Sequence, residues 1–328
     1  MSKKLSVISQ TDASDKQWIE ICRKVSYSTF FHTPLWADVF CNSSKKQYEK
    51  AAKIIEFSDG KTVLFPCVTK KVSVLVKVTL SMPAATFGGW LSTEPIHKEH
   101  MKLLLENLGE YKDLILRENP YDPHFNSILI QHAKNDNTQT VCLEGGYDTV
   151  FQNSEKRHQR AVNTAVKKGV WVKEAANADQ WSEYYQIYLK SIERWKKRNL
   201  FSGVSYSKKF FDSIYSLDSS YRKLFLAYVE DEPVAGMLCF YWNNHAVMWH
   251  GAGLSDYFAY RPNNLLYDHA IHNACDNKFQ WFDCNPSGGL DGVISFKKYL
   301  GAKLLRSRII EHRSWIRTIA RFARKIAT

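Results

Sequence analysis

The chain reads as an α/β protein (mixed α+β) built from two tandem units, each a mostly antiparallel twisted sheet flanked by helices. Three observations predict this. Its 328 residues, 45% hydrophobic, suffice for two cores of ordinary size. Strand-like and helix-like periodicities alternate along its length. One succession also occurs twice: antiparallel strands around an acidic turn, a glycine-containing crossing, an amphipathic helix and a strand. It runs from Ala51 to Arg117 and again from Leu224 to Cys284, alike in pattern and not in letters. The expected division is a first unit over 1–150, a second over 151–311, and a C-terminal helix over 312–328 packing on the first.

The elements follow from local signals. Leu5 to Ser9 predicts a strand and Asp15 to Lys24 a helix. In Phe31-His32-Thr33-Pro34-Leu35-Trp36, Thr33 is the N-cap and Pro34 suits the first turn, so a short helix should follow from Leu35 to Cys41. Ser58-Asp59-Gly60 joins the strands Ala51–Phe57 and Thr62–Thr69 as a hairpin, and Val72 to Leu80 continues the sheet. A helix from His97 to Leu108 leads to the strand Leu114–Arg117, and Thr140 to Gly145 gives the last strand of the first half. Next comes a basic helix, with Ser154 as its cap and Gly169 as its stop. It is followed by the strand Val170–Glu174, a long helix Asp179–Lys196 and a shorter one, Lys208–Tyr215. Trp181, Tyr184, Tyr185, Tyr188 and Ile192 have the spacing of one helix face and read as core. Strands at Leu224–Val229, Val234–Trp242 and Ala246–Gly251, a helix from Asn263 to Asp276 and a strand Gln280–Cys284 complete the second half.

The balance of charge is +12. From Lys303 onward eight basic residues face Glu311 alone, and a second cluster comprises Lys156, Arg157, Arg160, Lys167, Lys168 and Lys173. The partner should therefore be anionic: the phosphates of a nucleotide or tRNA, or a membrane surface. No apolar run reaches the ~18 residues that cross a bilayer, and Met1 to Gln10 lacks a signal-peptide core, so a cytoplasmic, membrane-peripheral location is expected. The seven cysteines, odd in number and without a CxxC pair, read as reduced core residues. Cys284, beside Asp283, has a nucleophilic reading too, but no histidine stands at a telling spacing.

Polar residues crowd into the joints between Trp249 and Ala302. His250 ends an apolar run before Gly251; as a base it needs a partner carboxylate, and Asp256 is nearest in sequence. Arg261, Asn263 and Asn264 open a helix whose N–H groups suit phosphate or carboxylate. Asp283 precedes Asn285-Pro286-Ser287-Gly288-Gly289 and is either a general base or the cap of that turn. Arg194, near the end of the long helix, suits the helix C-terminus, where a cation complements the dipole.

Four stretches together resemble the FemAB family of aminoacyltransferases and the wider acyltransferases of GNAT-like fold. They are F-H-T-P-L-W (Phe31 to Trp36), the basic helix K-R-H-Q-R-A-V-N-T-A-V-K-K-G-V (Lys156 to Val170), P-V-A-G within Glu230 to Met237, and Arg261 to Ala302 with its F-K-K-Y-L-G-A ending. The resemblance implies two GNAT-like domains with catalysis centred on the second. It implies transfer of an acyl or aminoacyl group, from acyl-CoA or aminoacyl-tRNA, to an amine of a peptidoglycan or polysaccharide precursor, lipid- or nucleotide-linked. No tightly bound cofactor or metal is implied. Lys297, set by Phe296 and Gly301, would face the donor ester and stabilise the oxyanion. The substrate-binding set would be Arg194, Tyr260, Arg261, Asn263 and Phe296. Tyr260-Arg261-Pro262 stands where related acyl-CoA enzymes carry a glycine-rich loop. Asn119 stands before Pro120, where aminoacyl-transferring members tend to have an acidic residue.

Such a transfer needs an amine that loses its proton and donors that meet a tetrahedral oxyanion. The residues for these tasks are Lys297, Asp283 and His250. The C-terminal helix, with Trp315, Ile319, Phe322 and Ile326 on one face and Arg313, Arg317, Arg321 and Arg324 on another, is a candidate for contact with the inner membrane surface. The alternative from another class is a non-catalytic nucleic-acid-binding protein that uses the two basic clusters.

Overall fold

The structure is a computed structural model, and residues 4–74, 76–124, 133–199 and 204–314 are described. Two compact units emerge: Met1–Asp136 with Arg306–Thr328, and Asn137–Leu305. The helix expected over 312–328 lies almost wholly outside the described residues.

In the first unit β1 (Val7–Asp12) pairs with β3 (Lys53–Phe57), after α1 (Asp15–Lys24), α2 (Pro34–Ser43) and β2 (Tyr48–Lys50). α1 starts where Ser14 and Gln17 close a capping box, and α2 where Thr33 accepts from the Trp36 N–H ahead of Pro34. β4 (Thr62–Phe65) completes the predicted hairpin through Gly60, whose φ of 86° suits the turn. β5 (Val68–Lys71) and β6 (Lys77–Leu80) form a second hairpin, so the strand expected from Val72 begins only at Lys77. α3 (Lys98–Asn107) crosses over, and β7 (Leu114–Arg117) returns parallel to β6. β8 (Lys134–Asn135) is a two-residue edge strand. Phe57, Phe65, Leu104, Leu114 and Leu116 lie in its core.

His32 ties the first unit's entry segment together. Its Nδ1 accepts the Thr29 N–H at 3.0 Å, and its Nε2 donates to the Gly88 carbonyl at 3.1 Å. That pair of bonds fixes the neutral tautomer, and complete burial pushes the pKa down to about 4.

The second unit opens earlier than expected. β9 (Thr138–Cys142) pairs with later strands of this unit, so the strand assigned to the first half by its position in sequence belongs to the second. Next come α4 (Gly146–Asn153), absent from the sequence reading, and α5 (Lys156–Lys167). Ser154 closes α4 by donating to the Phe151 carbonyl and Glu155 takes the cap of α5, correcting the cap expected at Ser154. Gly169, at φ 76°, ends α5 as expected. β10 (Val170–Glu174), α6 (Ala178–Lys197), α7 (Lys208–Tyr215), β11 (Arg222–Val229), β12 (Glu232–Trp242) and β13 (His245–Gly253) follow. The chain then passes through α8 (Pro262–Asp276), β14 (Trp281–Asp283), α9 (Asp291–Tyr299) and β15 (Lys303–Leu305).

The seven strands run β10-β11-β12-β13-β14-β9-β15, antiparallel except for β13 beside β14. α8 makes that parallel crossover and packs on β11 and β12. α6 is capped by Asn177 and carries Arg194, Lys196 and Lys197 in its last turn, where cations complement the dipole. It buries Trp181, Tyr184, Tyr188 and Ile192 as the periodicity predicts. Finally β16 (Arg308–His312) returns to the first unit between β7 and β8, so the second unit stops at Leu305 and not at 311. Both units share a design: antiparallel hairpins, then a helix crossing to a parallel neighbour. Among the described residues no helix is long and apolar enough to cross a membrane.

Candidate active site in the forked sheet

β13 and β14 pair only from His245–Trp281 to Val247–Asp283. Past that point β13 continues to Gly253, while the other strand turns away. β13 also bulges: Leu238 faces His250 and Cys239 faces Met248, leaving Trp249 as the extra residue. A fork therefore opens on the Met248–Gly253 side, and a cavity of about 330 Å³ fills it. Its walls are Gly236 and Met237 of β12, Met248 and Gly251–Gly253 of β13, Asn263, Leu266 and Tyr267 of α8, and Gly292, Val293 and Phe296 of α9. Arg194, Trp195 and Phe258 close one end. The lining is mostly apolar with a few polar groups, as ligand cavities are.

Three side chains expected at the site, Arg194, Asn263 and Phe296, line this cavity. Arg194 lines it and donates to the Gly253 carbonyl at 2.5 Å, with its guanidinium 4.9 Å from the Phe258 ring centre. Ser191 holds the Gly253 N–H, so α6 pins the far end of β13 through both backbone groups. Asn263 and Phe296 line the cavity, and Phe296 meets Tyr267 edge to face. Arg261 is exposed and caps α8 at φ 62°. It adopts the left-handed conformation that a glycine would take more cheaply, at a cost on the order of 1 kcal/mol. Neither Arg261 nor Tyr260 reaches the cavity wall; Tyr260 lies under Lys168.

Lys297 faces elsewhere. Successive helical residues point about 100° apart, so with Phe296 in the cavity Lys297 turns beneath it. Only 3% exposed, it donates to the Asn285 carbonyl at 2.6 Å, and burial lowers its pKa against the opposing pull of Cys284 and Asp283. Asn285 donates in turn to the Met248 carbonyl on the cavity wall. Asp283 is fully buried and off the cavity wall: its Oδ1 accepts from the Thr138 hydroxyl and from the Asn285 N–H. This is the turn-capping arrangement, and it corrects the general-base reading, since the carboxylate has no access to a substrate. Cys284 is buried, with its thiol pKa pushed up to about 12, and is inert core. These residues form a polar knot that holds the chain after β14 clear of β13. Replacing Lys297 with methionine keeps the stem and deletes the charged hydrogen bond. A loss of about 2 kcal/mol in chemical denaturation is expected; an unchanged midpoint and slope would show the bond to be idle.

His250 sits on the opposite face of β13, where its Nδ1 lies 2.6 Å from the Tyr184 hydroxyl. Tyr188, Phe211 and Trp249 surround the ring, and desolvation lowers its pKa to about 4, so it is neutral near pH 7. Its partner is thus a tyrosine and not Asp256, which is exposed and accepts from Ser255. Asn119 is buried in the first unit, where its side chain bonds the Tyr27 carbonyl and the Tyr121 N–H. Sequence reasoning missed Met237, Met248, Tyr267 and Val293. Apolar residues at helical or strand spacing give no local sign of whether they face a core or a cavity. Among the described residues no group of three His, Cys, Asp or Glu side chains is placed to hold a metal.

Residues 152–293 match the family described as acetyltransferase (GNAT) domain. The second unit is a GNAT domain. No curated protein matched the chain in sequence. Among solved structures, FemX is similar over 92% of this chain and 97% of its own, at 12% identity and a TM-score of 0.67. L-PGS from Bacillus licheniformis shares 13% identity over 93% of each chain, with a TM-score of 0.55. A tandem GNAT protein from the clavulanic acid biosynthesis pathway covers 94% of this chain and 99% of its own, at 8% identity and a TM-score of 0.51. Identities this low speak for the fold alone: two tandem GNAT-like units, the second carrying the fork.

Proposed function

We propose that the protein is an N-acyltransferase whose GNAT domain seats the acyl end of a donor in the fork between β13 and β14 and passes it to an amino group. The observation that carries this is the fork itself. Beyond Val247 no described strand pairs with β13 on the β14 side, so the stretch of that edge between the Met248 carbonyl, held by Asn285, and Gly253, held by Ser191 and Arg194, is where an extended donor would lie, bounded by apolar walls. At about 330 Å³ the cavity matches an acyl group and its adjoining arm and is too small for a whole nucleotide-bearing donor. A purely nucleic-acid-binding protein has no use for such an enclosure. His250, neutral and held by Tyr184 on the face of β13 away from the cavity, we assign to positioning the strand beside Gly251 of the wall and not to taking the proton. Lys297 positions the wall through Asn285 and Met248, in place of the oxyanion role implied by the sequence resemblance. The acceptor we infer is an amine of a cell-envelope precursor, an inference supported by the FemX and L-PGS folds. The donor is acyl-CoA or aminoacyl-tRNA.

Thermal shift separates the donors. At a concentration 100 times its Kd the true donor adds about 2.7 kcal/mol, which raises the midpoint by roughly 5–10 °C. Gly292 lines the cavity, and an added Cβ there meets no atom within 4 Å. Gly292→Phe should therefore fold normally yet lose the shift. A native protein that responds to neither acyl-CoA nor charged tRNA, or a Gly292→Phe variant that still responds, would overturn the proposal.

A further inference from the structure

We infer that the β5–β6 hairpin of the first unit is a membrane-contacting element that seats an apolar tip in an anionic lipid surface. The other hairpins among the described residues turn on polar residues: Asp59-Gly60, Glu230-Asp231 and Asn243-Asn244. Such residues suit a turn in water. This one turns over residues 72–76, of which Val72, Ser73, Val74 and Val76 are described, and closes with the Val72 N–H donating to the Val76 carbonyl at 2.9 Å. Val74 is 88% exposed, the highest among the described large hydrophobic side chains, and Val72 is 40% exposed. A lone exposed valine needs no explanation, but two at the tip of a turn that water would build differently do.

The surroundings specify the partner. Lys71 faces Lys77 across the base of the hairpin, and Lys70 pairs in register with Val78. The Lys71 N–H donates to the Gln47 carbonyl, which brings the loop carrying exposed Lys45 and Lys46 alongside. Lys70 also lies 5.2 Å from the ring centre of Tyr48, an amphipathic side chain suited to an interface. Against these five lysines stands Glu49, which pairs with Lys77 at 3.5 Å. The result is a basic collar around an apolar point. Val74 stands three positions past Lys71 and three before Lys77, beyond the basic pair that closes the two strands. Exposed valines on a turn fit a fluid bilayer, which closes around them, better than the flatter face of a folded protein. The inference stands independently of the donor that the GNAT domain takes.

The test is sedimentation of the full chain with vesicles of phosphatidylcholine alone or mixed with phosphatidylglycerol. Native protein should bind only the mixed vesicles. Val72→Ser/Val74→Ser and Lys46→Glu/Lys71→Glu should each weaken binding roughly tenfold or more. Arg160→Glu/Lys167→Glu, on the basic helix of the second unit, should change it less than about twofold. All these side chains except the partly exposed Val72 are strongly solvent-exposed, so matched circular dichroism spectra are expected. Binding equal on both vesicle types or absent from both, hairpin variants that bind like the native chain, or a loss confined to the Arg160/Lys167 variant would each overturn the assignment.

Discussion

Gly236→Val is expected to lower the stability of the GNAT domain by about 3 kcal/mol and to release His250 from Tyr184. A Cβ at this position would lie 2.4 Å from Tyr184 Cδ2, 2.7 Å from its Cε2 and 2.9 Å from Leu226 Cδ2. Tyr184 and Leu226 are both fully buried, so neither has room to yield. Overpacking of this kind typically costs 1–3 kcal/mol, and valine adds two further methyl groups. For a unit of this size the midpoint should fall by roughly 6–12 °C. The effect on the site follows from the same contact: a displaced Tyr184 ring breaks the 2.6 Å bond to His250 Nδ1. Imidazole nitrogen shifts measured by NMR would show whether the histidine has lost its partner. A variant that melts within about 2 °C of the native protein, with unchanged His250 resonances, would refute this.

Acidification should destabilise the GNAT domain through His250. The folded pKa, about 4, lies below the 6.5 of the unfolded chain. Below pH 6.5 the unfolded state therefore takes up a proton that the folded state refuses, and stability falls until the folded group titrates near 4. At about 1.4 kcal/mol per pKa unit the whole window amounts to about 3 kcal/mol. In the first unit His32 acts in the same direction. Asp122, whose pKa burial raises to about 7, acts oppositely, because its folded form gains a proton that the unfolded carboxylate does not hold until far lower pH. The curve for the whole chain is thus a partial cancellation. The difference between native and His250→Asn proteins isolates the one group: it should shrink by about 3 kcal/mol between pH 7 and 4 in urea unfolding. A difference that is flat with pH would mean that the imidazole is accessible and protonates freely.

Much of the fold was legible because its signals are local. Thr33-Pro34 opens α2, Asp59-Gly60 turns a hairpin, Gly169 stops α5, and the aromatic face of α6 is buried as its spacing predicts. The misplaced boundary has a different origin. β9 is five residues long and takes its partners from Trp281–Asp283 and Lys303–Leu305, far along the chain. No local pattern marks which sheet a short strand joins.

The site divides the same way. The sequence by itself determined that polar joints after Trp249 lie at the ends of strands and helices, since capping and turn chemistry depend on neighbours a few residues apart. It placed Phe296, Asn263 and Arg194 at the site, where the structure has them on the cavity wall. Only the tertiary structure decided which way each joint faces. Lys297 and Asp283 turn into a buried knot because Phe296, one residue before Lys297, occupies the cavity, and because Asn285 sits between their side chains. His250 found Tyr184 because Gly236, on a third element, leaves no atom in the way. Contacts of that kind depend on which elements the fold brings together, a non-local property that spacing along one chain does not carry.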